Sequence, residues 1–214
     1  PESDVDVTDA PVPLTQKAIF GYGTTGSNVS MTNLVSSSGV VAADVTGVGT
    51  ARYFLEAAGY GTDKAIFAYG FTGSNVSMSN LVSNSGVVAT DTTGVGTARR
   101  ALAAAGYGTD KAIFGYGYAA AAVSLTNLCS NSGVIAADVT GVGTARHQLA
   151  TTNYGGDKAI FAYGYTGGYV SMSNLVSNTG VVAADVTGVG TARQRLAAAG
   201  YGGDKAIFGY GDTG

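Results

Sequence analysis

The 214-residue chain has no tryptophan, one cysteine, one histidine and three prolines, and only 12% of its residues are charged. A single cysteine excludes a disulfide within the chain, and a single histidine excludes a histidine-rich metal site. The composition is 45% hydrophobic and includes 34 glycines, which indicates a folded body with many turns. No apolar run approaches the roughly 18 residues that a membrane helix needs, so we expect no membrane partner.

Cations are spread evenly along the chain, which argues against a nucleic-acid partner. The formal net charge is −3. A groove for DNA or RNA needs clustered lysine and arginine side chains to displace counterions. Every lysine instead occupies the same place in a repeat, at Lys17, Lys64, Lys111, Lys158 and Lys205. We therefore expect no nucleic acid among the partners.

The strongest feature of the sequence is an internal repeat with a period of 47 residues. The segment KAIF(G/A)YG begins at each of the five lysines, which predicts a single repeat domain over 17–214 after an extension over 1–16. Four whole repeats cover 17–63, 64–110, 111–157 and 158–204, and a partial fifth covers 205–214. Each whole repeat carries four short segments separated by turn residues, a pattern typical of strands. One such set is Ala51–Ala58, Ala65–Tyr69, Val76–Val82 and Val87–Thr90.

Three segments resemble the parts of a kelch repeat. Ile66–Gly70 resembles its glycine-ended strand, Asn80–Val88 its polar hairpin, and Thr97–Arg99 the arginine segment before its inner strand. The resemblance implies an all-β fold, a β-propeller of 47-residue four-stranded blades with four full repeats and a partial fifth. The alternative is a β-solenoid or fibrous stack, whose end faces stay open.

The last strand segment is one more than four complete blades need. Segment 205–211 repeats the sequence of 17–23. It predicts one of three arrangements: a partial fifth blade, a strand that pairs with another chain, or one end of a longer array. Self-association through 205–211 is therefore one expected partner interaction.

Three phrases carry a second resemblance. KAIFGYG, NLVSNTG and TGVGTAR resemble repeat segments of structural proteins encoded by marine bacteriophages. This resemblance implies a virion or extracellular location, in a viral or surface appendage.

Two segments differ between the repeats and predict one binding face. Because successive strands are antiparallel, the loop into the inner strand and the loop after the second strand emerge on the same side of the sheet. Aromatic, arginine and amide side chains in these loops suit a glycan or a host-surface protein as the partner. Neutral drift of exposed loops is the alternative. The candidate ligand-binding residues are Tyr53, Phe54, Phe71, Arg100, Tyr118, His147, Gln148, Tyr165, Tyr169, Gln194 and Arg195.

The sequence offers little for catalysis, and we expect no enzyme, no cofactor and no metal site. His147 is the only candidate histidine base, and the predicted strand register places it apart from Cys129. Cys129 stands where other repeats carry valine, which predicts a small buried side chain. The arginines, aspartates and asparagines that recur in every repeat predict structural hydrogen bonds and no site.

The sequence therefore predicts a non-catalytic binding module that recognises a glycan or a protein. The alternative is a purely structural spacer or oligomerisation element without a ligand. The variable loops distinguish the two, because a spacer should tolerate alanine substitutions there.

Overall fold

A computed structural model describes residues 18–214, and this part of the chain forms thirteen strands and no helix. The all-β prediction is confirmed. The strands are β1 (Ala18–Thr24), β2 (Asn28–Val35), β3 (Glu56–Tyr60), β4 (Lys64–Ala68), β5 (Ser79–Val82), β6 (Ala103–Tyr107), β7 (Lys111–Gly115), β8 (Thr126–Cys129), β9 (Ala150–Tyr154), β10 (Lys158–Tyr165), β11 (Tyr169–Val176), β12 (Ala197–Tyr201) and β13 (Lys205–Gly209). Among these residues there is no helix of the length and apolarity that a bilayer span requires.

The strands form five small antiparallel sheets, each built from neighbours in the chain. Three sheets have the orders β3-β4-β5, β6-β7-β8 and β9-β10-β11, and two are the pairs β1-β2 and β12-β13. The fourth strand predicted for each blade is not part of these sheets, which corrects that prediction. Its segment makes an isolated bridge instead, between Val88 and Val82. One backbone acceptor of this segment, the Ala89 carbonyl, accepts a hydrogen bond from the Asn80 side chain, whose Nδ2 lies 3.0 Å away.

The inner strand begins later than the sequence predicted. β3 covers Glu56–Tyr60 and not Ala51–Ala58. The residues before β3 pair with a different segment, since the Tyr53 N–H donates to the Phe71 carbonyl at 3.2 Å. Phe54 has a φ of 54°, a left-handed conformation that interrupts any strand.

Hydrogen bonds of the repeated arginine and threonine divide the chain into layers. Arg52 Nε donates to the Tyr69 carbonyl at 2.9 Å, and its Nη2 donates to Asn80 Oδ1 at 2.7 Å. Thr50 Oγ1 donates to Asp91 Oδ2 at 2.6 Å and closes the same unit. The described chain thus comprises three full layers, 50–96, 97–143 and 144–190, between an amino-terminal half-layer, 18–49, and a carboxy-terminal half-layer, 191–214.

These bonds confirm the structural role predicted for the recurring arginine, aspartate and asparagine residues in the full layers. The arginine side chain of each full layer is fully buried, and its guanidinium donates to an asparagine Oδ1 at 2.7 Å. A second aspartate series holds the turn after the inner strand. There, Asn131 Nδ2 donates to Asp110 Oδ2 at 3.0 Å.

Adjacent layers pack through one repeated pair of rings. Tyr69 contacts Phe114 of the next layer with ring centroids 5.7 Å apart, and the guanidinium carbon of Arg99 lies 4.2 Å from the Tyr69 centroid. Both rings are fully buried. The Gly61 N–H also donates to the Asp110 carbonyl of the next layer at 2.7 Å. The core therefore lies between layers, as expected for a repeat protein whose units stabilise one another.

The layers contact one another in chain order. The inner strands β3, β6, β9 and β12 are successive neighbours, and each of the first three also contacts the second strand of the following layer. Those second strands are β7, β10 and β13. Within residues 18–214 the last layer does not pack extensively against the first, so these residues do not close into a ring.

The two ends of this series expose residues that the full layers bury. Phe20 is 63% exposed, whereas Phe67, in the same repeat position, is 3% exposed. Tyr210 is 93% exposed, whereas its counterpart Tyr69 is fully buried. Each end therefore presents a face that elsewhere in the chain packs against another layer.

Candidate functional site

The residues predicted for the binding face lie together, in a line along one edge of the layers. In each layer the residue after the repeated arginine forms an antiparallel bridge with the residue after the repeated glycine. We call these pairs, together with Asn75 and Tyr169, the variable row. The pairs are Tyr53 with Phe71, Arg100 with Tyr118, His147 with Tyr165 and Gln194 with Asp212.

The glycine before each second member brings the two segments together. Gly70 has a φ of +113°, a left-handed conformation that favours glycine. A Cβ at Gly70 would lie 2.9 Å from the Tyr53 carbonyl oxygen, so a side chain there would push the two segments apart. With glycine in place, the Phe71 N–H donates to the Tyr53 carbonyl at 2.8 Å. The repeated backbone thus provides equivalent positions for side chains that differ.

Arg100 joins two layers of the variable row. Its guanidinium carbon lies 4.6 Å from the ring centroid of Phe71 in the preceding layer and 5.0 Å from that of Tyr118 in its own layer. Arg100 Nη1 also donates to Asn75 Oδ1 at 3.2 Å, and Asn75 Nδ2 donates to the Ala119 carbonyl at 2.8 Å. The guanidinium therefore contacts two rings and an amide, and the residue is only partly exposed.

His147 continues the row with an imidazole in place of a guanidinium. Its ring centroid lies 5.2 Å from that of Tyr118 in the preceding layer and 5.6 Å from that of Tyr165 in its own layer. Burial lowers the pKa of His147, and the charges of Arg100 and Arg195 lower it further. The imidazole is therefore neutral at pH 7 and offers a ligand one donor and one acceptor.

The last layer of the row is polar. Gln194 Nε2 donates to Asp212 Oδ2 at 3.3 Å, and the Tyr169 hydroxyl donates to the same oxygen at 3.4 Å. Beside the row, Gln148 of the preceding layer accepts from Arg195 Nε at 3.1 Å and from Nη2 at 3.0 Å when its side-chain oxygen is turned toward Arg195. The row therefore changes along its length from aromatic and cationic to polar and acidic.

The position beside the first member of each pair has a left-handed backbone in every layer. The φ angles are 54° at Phe54, 51° at Ala101, 55° at Gln148 and 54° at Arg195. A side chain in this conformation costs roughly 1–2 kcal/mol. The backbone there also joins the layers, since the Ala101 N–H donates to the Phe54 carbonyl at 3.0 Å. The chain thus carries four side chains where glycine would be unstrained.

Sequence reasoning missed two members of the row, Asn75 and Asp212. A signal for Asp212 was present, because it occupies the repeat position of Phe71, Tyr118 and Tyr165. Asn75 acts through contacts between layers, and its amide in the variable loop gave no sign of them.

The described residues show no metal cluster, and the cysteine is inert. Residues 18–214 contain no group of three or more histidine, cysteine, aspartate and glutamate side chains placed to hold a metal ion. Cys129 is fully buried in β8, which confirms the prediction of a small buried side chain. Burial raises the pKa of its thiol to about 11, so the thiol is protonated at pH 7 and is a poor nucleophile.

The chain matches no model of a known protein family and no curated protein sequence. The resemblances to kelch repeats and to structural proteins of marine bacteriophages therefore stay predictions from the sequence. The basis for a proposed function is the geometry of the variable row.

Proposed function

We propose that the protein is a non-catalytic binding module whose ligand, a glycan or a protein surface, lies along the variable row. One observation carries the proposal: the backbone of the row repeats in four layers while its side chains do not. Each layer has the same bridge, yet its first member is Tyr53, Arg100, His147 or Gln194. Rings, guanidinium groups and amides stack on and hydrogen-bond to flat or polyhydroxylated ligands.

The left-handed position supports the same proposal. Glycine there would relieve roughly 1–2 kcal/mol of strain, and the chain does use glycine at other left-handed positions, such as Gly70. Phe54 is instead 46% exposed, with its ring centroid 4.6 Å from that of Tyr53. An exposed aromatic ring retained at a cost in stability favours a role in recognition.

We expect the ligand to contact one or two adjacent layers of the row. A glycan array probed with the intact protein identifies a ligand, and single alanine substitutions at Tyr53, Arg100, His147 and Gln194 then locate its site. One or two neighbouring substitutions should weaken binding by about tenfold or more, and the others should change it little. Val134→Ala is the matched control, since Val134 is exposed on the hairpin at the opposite end of the third strand.

A pair of glycine variants separates binding from stability in the same assay. Ala101→Gly should only relieve backbone strain. Phe54→Gly should relieve the same strain and should also weaken the binding of any ligand that contacts the first full layer. Equal losses at all four alanine positions would contradict a site on one or two layers. An array without signal, together with failure to capture a host-surface protein, would remove the binding proposal.

A purely structural spacer or oligomerisation element is the second candidate function. It is favoured by the packing of the row on itself, because Arg100 occupies a face of both Phe71 and Tyr118. Such stacking stabilises the contact between layers without any ligand. Full function after simultaneous alanine substitution of Phe54, Arg100, His147 and Arg195 would favour the spacer.

We also propose that the layers are blades of a kelch-like β-propeller, whose ring is left open within residues 18–214. Contacts between layers involve the inner strands and the adjacent second strands, which suits sheets that splay apart around an axis. X-ray scattering of dilute protein should then give a compact particle, with a radius of gyration of about 17 Å for a chain of this length. A rod-shaped profile would contradict the propeller and favour the solenoid stack.

A place in a viral or surface appendage is part of the same proposal. It is supported by the resemblance of KAIFGYG and NLVSNTG to repeat segments of marine bacteriophage structural proteins. A host-surface glycan or protein is the ligand that such a location would supply.

A further inference from the structure

Arg100 carries a positive charge that no carboxylate of residues 18–214 balances. The buried arginines of the full layers, Arg52, Arg99 and Arg146, each have an aspartate oxygen 3.9 Å from Nη1. Arg100 makes no such ion pair within the described chain, and its side chain bonds there only to the neutral amide of Asn75, at 3.2 Å. Most of its N–H donors therefore remain available to a ligand.

His147 holds the equivalent position in the next layer. Its imidazole lies between two tyrosine rings, with centroid distances of 5.2 and 5.6 Å, and neither ring nitrogen hydrogen-bonds to another residue within 18–214. The amide of Asn75 that bonds to Arg100 has no counterpart here, because the same repeat position is Ala122 in the layer before His147. The donor and the acceptor of this imidazole are thus also available.

Tyr118 connects these two positions. The guanidinium carbon of Arg100 lies 5.0 Å from the centroid of its ring, and the imidazole centroid of His147 lies 5.2 Å from it. The loop that follows, 119–122, consists of four alanines, so its side chains are single methyl groups. A ligand beside the Tyr118 ring can therefore reach both a guanidinium and an imidazole.

The charges that act on His147 are positive. Burial lowers its pKa first, and the charges of Arg100 and Arg195 lower it further, with no opposing carboxylate among the described residues. The titratable groups that act on the imidazole or contact it are Arg100, Arg195, Tyr118 and Tyr165. A bound anion would reverse this balance, because a nearby negative charge favours the protonated imidazole.

We propose that the variable row binds an acidic glycan whose anionic group, a sugar carboxylate or a sulfate ester, lies beside Tyr118 within reach of Arg100 and His147. This ligand class rests on the binding function proposed above. A guanidinium makes its strongest hydrogen bonds to oxyanions of this kind. Both cationic positions belong to full layers, 97–143 and 144–190, so the site lies within the series of layers and away from its ends.

A glycan is favoured over an acidic peptide because the backbone of the row is already paired. The Arg100 N–H donates to the Tyr118 carbonyl at 3.1 Å, and the Tyr118 N–H donates to the Arg100 carbonyl at 2.8 Å. His147 and Tyr165 make the same two bonds. A peptide that binds by adding a strand needs unpaired backbone groups, whereas a glycan needs rings and polar side chains, which the row supplies.

His147 is the only histidine of the chain and therefore gives a single imidazole signal in NMR spectra. Titration of its C2 proton in the full chain measures the pKa with methyl glucuronide, with methyl glucoside 6-sulfate and with uncharged methyl glucoside. We expect each saturating anionic sugar to raise the pKa of His147 by about one pH unit, and the uncharged sugar to leave it unchanged. The anionic sugars should then bind up to about tenfold more tightly at pH 5 than at pH 8.

Arg100→Gln tests the guanidinium. The pKa of His147 in the sugar-free variant should rise, because a neighbouring positive charge is gone, and both anionic sugars should bind about tenfold more weakly or worse. Lys64→Gln is the matched control, since it removes a half-exposed cation at the other end of a full layer, and it should change neither quantity. The ring-current shift that the flanking tyrosines give the His147 signal shows whether each variant is folded.

An unchanged pKa of His147 with both anionic sugars would overturn the proposal, as would equal binding of these sugars to Arg100→Gln and to the unmodified chain. Inorganic sulfate that binds as tightly as the sulfated sugar would also overturn it, because the sugar would then contribute nothing. Binding of neutral glycans alone, or of a host-surface protein alone, would remove the acidic ligand and leave the binding function in place. The absence of any ligand would remove both.

Discussion

We expect Arg99→Met to lower the free energy of unfolding by about 3–5 kcal/mol, the usual effect of removing one member of a buried polar network. Arg99 is fully buried and donates to the carbonyls of Tyr116 and Thr97 and to Asn127 Oδ1. Asp138 lies 3.9 Å from its Nη1. Methionine fills much of the same space and donates nothing, so several buried acceptors lose their donor.

Arg193→Met is the matched control in the carboxy-terminal half-layer. Arg193 lies over Tyr163 at 4.4 Å much as Arg99 lies over Tyr69 at 4.2 Å, so both arginines keep the ring contact. Within residues 18–214 only Arg99 of the two bonds to an asparagine, and we expect Arg193→Met to cost about 1 kcal/mol or less. Urea denaturation of dilute protein, followed by circular dichroism, measures both changes. Equal losses would show that the ring contact, and not the hydrogen bonds, holds the arginine.

A second pair of variants tests the same bonds from the acceptor side. Asn127→Leu leaves the buried Arg99 without its shortest bond, so its effect on unfolding should be comparable to that of Arg99→Met. Asn33→Leu should cost less, because no described arginine donates to Asn33. A larger loss for Asn33→Leu than for Asn127→Leu would contradict this account of the buried network.

The sequence could predict that the recurring charged residues form hydrogen bonds, but not which of these residues belong to the same layer. Arg52, Asn80 and Asp91 belong to series that recur at a fixed spacing, and a recurring charged residue in a glycine-rich chain needs recurring partners. Thr50, however, bonds to Asp91 and not to Asp44, so the physical layer 50–96 does not coincide with a sequence repeat. A periodic sequence has the same period wherever it is divided, and only contacts decide where one layer ends.

Strand limits were predicted less well because single side chains and backbone angles decide them. Gly59 and Tyr60 were assigned to a turn, but they end β3, and the left-handed residues Gly61 and Thr62 make the turn. Val87–Thr90 has the composition of a strand. Its backbone ladder is interrupted because the Ala89 carbonyl accepts a hydrogen bond from the Asn80 side chain. The local sequence pattern does not indicate this bond.

The sequence could predict those features of the variable row that depend only on strand direction. The pairing of Tyr53 with Phe71 follows from the antiparallel order of the strands. The position of Arg100 between Phe71 and Tyr118 does not, because it depends on the separation of two layers. Closure into a ring depends likewise on the angle between layers, which no local pattern in the sequence encodes.

Glu56 should make the protein less stable as the pH rises. The other layers carry alanine at this position of the inner strand, at Ala103, Ala150 and Ala197. Glu56 lies on the face of β3 that also carries Ala58 and Tyr60, both of which belong to the core shared with the next layer. Burial raises the pKa of its carboxyl from 4.5 to about 8.

Below about pH 4.5 this carboxyl is protonated in the folded and the unfolded states, so it does not make stability depend on pH. Between pH 4.5 and 8 the unfolded state loses the proton while the folded state keeps it. The free energy of unfolding then falls by up to about 1.4 kcal/mol per pH unit. The loss is complete above about pH 8. We expect it to total a few kcal/mol, because the residue is partly accessible to water.

Glu56→Ala should therefore be more stable than the unmodified chain by a few kcal/mol at pH 8 and nearly equal to it at pH 4. Denaturant midpoints measured across this range give the difference, from which the titration of His147 cancels because both proteins share it. Glu56→Gln keeps the size of the side chain and cannot ionise, so it should remove the same pH dependence. Asp63→Asn, at an exposed carboxyl, should leave it in place. Parallel profiles for the unmodified chain and Glu56→Ala would mean that Glu56 is ionised in the folded layer and that the next layer does not desolvate it.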